Sequence, residues 1–405
     1  MTAGVLAPAR VFGFISPDCS IATELDALRE QVAARPQPEP AGGRRLVRAE
    51  IKGVRTADGW RLDRFSHCTQ TWDAAPSSSF GATTLYWRHG HGPARWTDLA
   101  DEPYLDGLAG VLDDARRAPD HEVLRYVPLR RFTWRADGRV HKVKRASRLA
   151  DSYARASALA AATRGTDVRV PALRGIRELP PTYSQDVVEG TSLADQATGP
   201  ELPSLLAEAG EVHAALGALP VRGMPAVPPD ACVPDVGRST EWVAFLLPEL
   251  AVLLGRAREL LLARVPQPDA DALATCHGDL VPSHLIGRSG RWTVIDLDLA
   301  HRGDRYRDMA MFLAGLPGDV AALTVGTASA AQVAAAEDAY LAGYAARWGT
   351  ALDLRRLAWH RAVAELHHLG LMVSKDGVEP AALRRSTCAL ERALDDVGAG
   401  SWSAR

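Results

Sequence analysis

The sequence predicts an α+β protein with two lobes, a small antiparallel sheet followed by a mostly helical body, and an extra α+β segment in front of them. Three observations lead to this fold class. Alternating apolar positions and turn residues, typical of strands, prevail up to Gly190, and helical spacing prevails after it. A compact strand-like insert, residues 276–310, interrupts the helical part. We therefore expect an N-terminal accessory segment (1–120), a small lobe with its connector (121–190) and a helical lobe (191–405).

The composition narrows the class of protein further. The 405 residues are 47% hydrophobic and 24% charged, as in ordinary soluble globular proteins. The formal net charge of −2 gives no reason to expect nucleic acid or a membrane surface as a partner. The amino terminus has no basic start followed by an apolar run, and the five cysteines lack the spacing of metal ligands. We expect a cytoplasmic protein with reduced thiols.

The front segment begins with a helical pattern and continues with strands. Residues 21–34 have helical spacing, and the stretch 34–45 is so rich in proline and glycine that it predicts a linker. Apolar positions alternate in 46–65, around an Ala-Asp-Gly turn, and again in 81–89. Leucine and valine recur at helical spacing in 105–112. The segment contains no recognisable chemical motif.

The small lobe has the clearest order of elements. Residues 122–145 predict two strands, an Ala-Asp-Gly-Arg turn and a third strand. A helix rich in alanine and leucine is expected over 147–164. Two more short strands follow, in 168–176 and in 182–190. This order places one helix beside a small antiparallel sheet.

Two aspartates stand out in the strand-like insert of the helical lobe. The insert predicts a hairpin with a loop at each end, with Asp279 on the first loop and Asp296 at the end of the second strand. A hairpin brings such positions together in space. Two carboxylates that converge on a pocket suit phosphoryl transfer, because one orients the attacking hydroxyl and the other holds the divalent cation at the nucleotide phosphates.

The insert also carries a family resemblance. The phrases HGDLVPSHLI and VIDLDLAHRGDRYRDMA resemble the catalytic and metal-binding motifs of the aminoglycoside-phosphotransferase-like family, which has a protein-kinase-like fold. The matching positions are His277, Gly278, Asp279, Leu280, Pro282, Leu285, Ile295, Asp296, Gly303, Asp304, Asp308 and Ala310. The resemblance extends less sharply over residues 122–400. It implies an ATP-dependent phosphotransferase, with GTP as an alternative donor, that uses Mg²⁺ or Mn²⁺ and phosphorylates a hydroxyl of a small molecule.

The resemblance also implies roles for residues of the helical lobe. Asp279 would be the catalytic base or hydroxyl-orienting group, and Asp296 would bind the metal. His277 and Asp308 would brace the loop rather than touch substrate. Asp298 is a candidate for a second metal or for the substrate, and a solvated loop carboxylate is the alternative.

In the small lobe, the resemblance implies contacts with the nucleotide. Lys142 stands where the family keeps the lysine that pairs with phosphates, although Lys144 lies on the same strand face. The loop before that strand has no glycine, and Arg130 and Arg131 are expected to bind the phosphates instead, with an exposed turn as the alternative. Further along the chain, backbone groups of Asp186 and Val188 would meet the adenine edge.

Two positions depart from the family pattern. His284 occupies the place of an asparagine that holds metal. Imidazole nitrogen suits Mn²⁺ better than Mg²⁺, so His284 either binds Mn²⁺, or leaves one site empty beside an Mg²⁺ on Asp296, or marks a nucleotide-binding protein without turnover. The helix after Lys142 offers Asp151 in the region of the usual glutamate, and an ion pair from this shorter side chain would be weak, water-bridged or absent.

The sequence does not identify the acceptor. The family places it among the carboxy-terminal helices, where Asp304, Glu365, His367 and His368 are candidates. A cationic antibiotic would favour an acidic cleft, and the last helices show no marked acidic cluster. Two alternatives remain open: a kinase that acts on Ser or Thr of a peptide or biosynthetic precursor recognised by the front segment, and a nucleotide-binding scaffold.

Overall fold

The fold is taken from a computed structural model of the chain. It describes residues 12, 15, 18–35, 44–72, 80–117, 120–178, 180–196, 201–323, 330–375 and 380–400. The linker predicted at 34–45 lies mostly outside the described residues. The described helices and antiparallel sheets confirm the predicted α+β class.

The front segment forms one antiparallel sheet with two helices. Its elements are α1 (Ala22–Ala34), β1 (Arg44–Thr56), β2 (Gly59–Trp72), β3 (Phe80–Arg88), β4 (Arg95–Asp98) and α2 (Leu108–Arg117). The strands follow each other in the order β1-β2-β3-β4. The predicted hairpin is confirmed, because β1 and β2 pair on either side of the Ala-Asp-Gly turn and Gly59 takes a φ of 123° there.

The small lobe is a five-stranded antiparallel sheet with one helix. Its elements are β5 (Glu122–Val127), β6 (Arg131–Ala136), β7 (Arg139–Lys144), α3 (Ala146–Ala162), β8 (Leu173–Arg177) and β9 (Thr182–Asp186). The strand order is β5-β6-β7-β9-β8. The turn between β6 and β7 is made by Asp137 and Gly138, whose φ angles of 51° and 68° are those of a hairpin turn that follows the strand twist.

The remaining chain forms the helical lobe. Its elements are β10 (Thr191–Ser192), α4 (Leu193–Gln196), α5 (Leu202–Gly217), α6 (Val233–Leu246), α7 (Ala251–Ala263), β11 (Leu273–Cys276), β12 (Leu285–Arg288), β13 (Arg291–Val294), β14 (His301–Asp304), α8 (Arg305–Leu323), α9 (Ala330–Trp348), α10 (Leu354–Val373) and α11 (Pro380–Ala399). The predicted hairpin is confirmed, since β12 pairs with β13 and Leu285 lies opposite Val294. β11 pairs with β14 and so brings the two loops of the insert side by side.

The front sheet contacts both lobes. One apolar core joins it to the helical lobe, with Ile51 and Phe65 packed among residues of α6 and α10 such as Val243. Another joins it to the small lobe, where Cys68 packs with Phe132. β1 also contacts the end of α10, where the Ile51 amide donates a hydrogen bond to the Ser374 carbonyl at 2.9 Å. The front segment is therefore a second connection between the lobes, besides the chain at 187–190.

Two general properties bear on the surroundings of the protein. All five cysteines are free thiols, and four of them are buried. Within the described residues, no helix has an apolar stretch long enough to cross a lipid bilayer.

Candidate active site

The loop between β11 and β12 has a backbone that only glycine fits at one position. Gly278 has a φ of 86°, and a Cβ atom there would lie 2.4 Å from the Leu299 carbonyl oxygen. Its amide donates to Asp308 Oδ1 at 2.8 Å, and the amide of His277 donates to Oδ2 of the same carboxylate. One buried aspartate thus fixes two successive amides of the loop.

Other buried side chains hold this arrangement. His213 Nε2 lies 3.5 Å from Asp308 Oδ2. Burial alone would raise the pKa of Asp308, but hydrogen bonding and charge from His213, with further charge from His277, hold it well below its usual range. His277 Nε2 donates to the Ile295 carbonyl at 2.8 Å and so ties the loop to the end of β13. The bracing contacts expected of His277 and Asp308 are present, whereas the sequence did not reveal the supporting contact of His213.

The two aspartates singled out in the sequence are joined by the His284 ring. His284 Nδ1 donates to the Asp279 carbonyl at 2.8 Å, and Nε2 lies 3.7 Å from Asp296 Oδ2. The Asp279 carboxylate is partly buried and accepts no hydrogen bond within the described part of the chain. Burial raises the pKa of Asp279, with an added contribution from Asp296, while His277 and two arginines oppose the shift. Asp279 and Asp296 therefore lie in the same site, on either side of the His284 ring.

The small lobe reaches Asp296 with two cations. Lys142 Nζ lies 2.7 Å from Asp296 Oδ1, and Arg131 Nη1 lies 3.4 Å from Oδ2. Burial would raise the pKa of Asp296, but Lys142, Arg131 and His284 hold it well below the usual value. Arg130, on the turn before β6, is exposed, and its side chain contacts no carboxylate among the described residues. Of the two predicted arginines, only Arg131 points at Asp296.

The neighbouring lysine has a different partner. Lys144 pairs with Asp298, which also accepts a hydrogen bond from the Tyr183 hydroxyl, and Lys144 Nζ donates to Ser152 Oγ of α3 at 3.1 Å. Asp298 is therefore buried and engaged, so the alternative of a solvated carboxylate is wrong, while a role toward a second metal or the substrate stays a prediction. Asp151 is exposed and makes no ion pair within the described chain, so of the three alternatives given for a pair with Lys142, the structure shows its absence.

The connector between the lobes offers one backbone group. The Val188 amide has no hydrogen-bond partner within the described residues, and Val188 is partly buried. The Asp186 amide donates to the Ala172 carbonyl at 2.9 Å, and the Asp186 carboxylate pairs with Arg174. The Asp186 amide is therefore engaged within the protein, and the expectation that backbone groups of Asp186 and Val188 meet the adenine edge stays a prediction.

Two of the candidates for the acceptor pocket have structural partners instead. Asp304 is buried and pairs with Arg356 at 2.6 Å and with His360 at 3.0 Å. Glu365 is buried and pairs with Arg361 at 2.6 Å. Neither carboxylate is available to a ligand, because each is already paired with an internal cation. Helical spacing in the sequence did not reveal these cations.

The two candidate histidines differ from each other. His367 is exposed and interacts electrostatically with Asp279, whereas the Nδ1 atom of the half-buried His368 lies 3.2 Å from the Ala314 carbonyl. Of the four acceptor candidates, His367 is the one that the structure places on the Asp279 side of the cleft.

The donor atoms at Asp296 and His284 fit a divalent cation. Because Nδ1 of His284 donates to a carbonyl, its Nε2 keeps the lone pair that faces the Asp296 carboxylate. Burial lowers the pKa of His284, which keeps the ring neutral and able to bind metal. Within the described residues, no group of three or more potential ligands occurs. Two protein donors would leave the remaining positions of the ion to nucleotide phosphates and water.

The site and fold define a class of protein, and comparison with known proteins identifies the family. The model of the phosphotransferase enzyme family, APH, matches residues 130–368, more than half of the chain. The chain therefore belongs to this family, and the resemblance drawn from the insert is confirmed. Membership makes the protein a small-molecule phosphotransferase. No curated protein matches the chain.

Solved structures are similar to this chain at low identity. The apo form of a thermostable mutant of aminoglycoside phosphotransferase APH(4)-Ia is 17% identical, with a TM-score of 0.51, and the match covers 72% of this chain and 99% of that one. A choline/ethanolamine kinase family protein from Mesorhizobium loti is 16% identical, with a TM-score of 0.46 over 74% and 96%. The GDP complex of a mutant aminoglycoside 2'-phosphotransferase-IIIa is 17% identical, with a TM-score of 0.49 over 73% and 100%. The first similarity supports the two-lobed fold.

Proposed function

We propose that the protein transfers the γ-phosphoryl group of ATP, or of GTP, to a hydroxyl of a small molecule in the cleft between Asp279 and Lys142. The oxygen of the acceptor hydroxyl forms a bond to the γ-phosphorus while the bond from that phosphorus to the β,γ-bridging oxygen breaks. The hydroxyl proton passes to the Asp279 carboxylate, and the nucleoside diphosphate leaves.

The observation that carries this proposal is the state of the Asp279 carboxylate. It is partly buried, accepts no hydrogen bond within the described residues, and stands next to a carboxylate that is already held by cations. A carboxylate in that environment can accept a hydrogen bond from an acceptor hydroxyl and orient its oxygen. The raised pKa of Asp279 makes it a better base than a solvated aspartate.

The other residues would hold the donor nucleotide. Lys142 and Arg131 lie where they can neutralise phosphate oxygens, and the Val188 amide can donate to the edge of the base. Asp296 and His284 would hold a Mg²⁺ or Mn²⁺ ion, which when bound neutralises charge on the β- and γ-phosphates. The atoms exchanged in the covalent step all come from the acceptor, the nucleotide and Asp279.

The proposal is tested by measuring turnover and its dependence on divalent metal ions. We expect release of nucleoside diphosphate in Mg²⁺ or Mn²⁺ that rises when a panel of alcohols is added. Asp296→Asn should lose at least about 100-fold of this activity, because it removes the charged donor for the metal. Asp338→Asn changes an exposed carboxylate on α9 and serves as the matched control. Equal activity of Asp296→Asn and Asp338→Asn would contradict the proposal, and so would labelling of peptides alone with no turnover of any alcohol.

A further inference from the structure

Four cations from separate parts of the chain line the mouth of the cleft. They are Arg48 on β1, Arg125 on β5, Arg130 on the turn before β6, and Lys375 just after α10. Lys375 interacts electrostatically with all three arginines. Arg125 interacts in turn with Arg48 and with the catalytic carboxylates. We call these four residues the cationic mouth.

The geometry of the front sheet explains how these residues meet. The backbones of Glu50 on β1 and Lys375 form an isolated antiparallel β-bridge, next to the hydrogen bond from the Ile51 amide to the Ser374 carbonyl. Side chains two apart on a strand share a face, so Arg48 lies on the face of β1 that carries Glu50. The front segment thus brings a cation to the cleft from outside both lobes.

The cationic mouth has little compensating negative charge. All four side chains are exposed, and none has an ion pair within 4 Å in the part of the chain that is described. Glu50, whose charge acts on Lys375, is itself engaged by Arg64 at 2.9 Å. Partial desolvation lowers the pKa of Lys375, the charge of Glu50 opposes this shift, and the three arginines lower the pKa further. The mouth therefore attracts anions.

The opposite wall of the cleft adds to this potential. Arg307 of α8 and Asp279 both act electrostatically on His367 of α10. Arg307 is partly buried and has no ion pair among the described residues, while the nearby Asp235 is engaged by Arg238. A cationic acceptor would meet repulsion on both sides of Asp279.

We propose that the acceptor is a phosphorylated alcohol, and that Arg48 and Lys375 bind its phosphate monoester while its hydroxyl faces Asp279. This inference rests on the proposed function and specifies its substrate class. The nucleotide phosphates have Lys142 and Arg131 next to Asp296, so the cations of β1 and of the end of α10 remain for a second anion. Arginine forks match phosphate oxygens in pairs, which favours phosphate as the group bound.

Binding rather than turnover tests this inference. Matched pairs of probes, ribose with ribose 5-phosphate and glucose with glucose 6-phosphate, are titrated into the protein saturated with a non-hydrolysable ATP analogue and Mg²⁺. We expect the phosphorylated member of each pair to bind at least about tenfold more tightly. Glucuronate and kanamycin serve as the carboxylate and cationic probes. Equal binding of the neutral sugars, or tighter binding of glucuronate or kanamycin, would overturn the inference.

A double variant assigns the effect to residues. Arg48→Gln with Lys375→Gln should weaken binding of the phosphorylated probes by about tenfold or more. Arg95→Gln with Arg177→Gln removes the same charge from exposed positions on β4 and β8 and should leave it unchanged. An equal loss in both variants, or a matching loss of affinity for the nucleotide analogue, would overturn the assignment. Because this experiment measures binding and not phosphoryl transfer, its result can be interpreted even if the proposed reaction does not occur.

Discussion

The two walls of the cleft are held in place by different means. On the helical-lobe wall, the backbone of the loop is fixed by hydrogen bonds to Asp308, which is itself buried and supported by His213. On the small-lobe wall, Arg131 is held by Asp296, and Lys142 is held by Asp296 and, at 3.6 Å, by Asp298. Both aspartates belong to the opposite wall. The helical-lobe wall is therefore held by contacts within its own lobe, whereas the small-lobe wall is held by contacts across the cleft.

This difference indicates which wall adjusts when a nucleotide binds. A carboxylate from α3 would anchor the lysine within the small lobe, but Asp151 is exposed and Ser152 contacts Lys144 instead. Lys142 therefore keeps a partner that a metal ion can also use. We expect the small-lobe cations to turn from Asp296 to phosphate oxygens on nucleotide binding, while the Asp279 loop stays where it is.

Gly278→Ala disrupts the helical-lobe wall and has the largest expected effect on stability. The new Cβ meets the Leu299 carbonyl and takes a left-handed φ, so we expect a loss of about 3 kcal/mol in the free energy of unfolding. Gly290→Ala is the matched control, since Gly290 has a φ of 72° with no atom near its Cβ. Urea unfolding measures both variants. Equal losses would mean that the loop is not fixed by close packing.

Lys142→Met and Lys144→Met sharpen the contrast within the small lobe. We expect Lys142→Met to lower kcat/KM for ATP by about 100-fold, because it removes a cation at the phosphates. Lys144→Met should instead destabilise the fold by up to about 3 kcal/mol, because it removes the shortest ion pair of the buried Asp298 and leaves Tyr183 and the more distant Lys142. Steady-state kinetics and urea unfolding are measured on both variants. The reverse pattern would assign the phosphate contact to Lys144.

The pH dependence of stability probes the support behind the helical-lobe wall. Burial raises the pKa of Asp304, but His360 and Arg356 lower it to about 2. Because the pKa of Asp304 is depressed in the folded protein, its ionised form stabilises the fold above its ordinary pKa of 3.8, and this stabilisation is lost as pH falls towards about 2. The loss should be about 2 kcal/mol. Urea unfolding at several pH values should show a smaller loss in Asp304→Asn; an unchanged loss would exclude this ion pair as its source.

His284→Asn acts where the two walls meet and has the smallest expected effect. Replacing a ring nitrogen by an amide oxygen should shift the ratio of activities in Mn²⁺ and Mg²⁺ by about tenfold towards Mg²⁺. His91→Asn, at an exposed turn, is the control. An unchanged ratio would place His284 outside the metal site, despite the 3.7 Å that separates its Nε2 from Asp296.

The elements that sequence predicted well are those specified by short-range rules. The turn at Asp137 and Gly138 and the hairpin that follows the Asp279 loop both follow from residues within a few positions of each other. The approach of Asp279 to Asp296 followed from the same hairpin. The motif resemblance then gave these residues their predicted roles.

The features that sequence did not reveal depend on distant contacts. Asp298 is buried because Lys144 and Tyr183, far away in the chain, engage it. The six residues from Phe65 to Gln70 on β2 are all buried, since one face of the strand packs on the helical lobe and the other on the small lobe. Four of these residues are polar, so no apolar alternation marks the second face.

Asp279→Asn gives the most direct test of the proposed mechanism, when phosphoryl transfer and nucleotide binding are measured on the same preparations alongside Asp338→Asn. We predict that transfer falls by about 100- to 10,000-fold while affinity for a non-hydrolysable ATP analogue changes by less than about twofold. Turnover equal to that of the unaltered protein would contradict the account, because the Asp279 carboxylate would then have no part in the reaction.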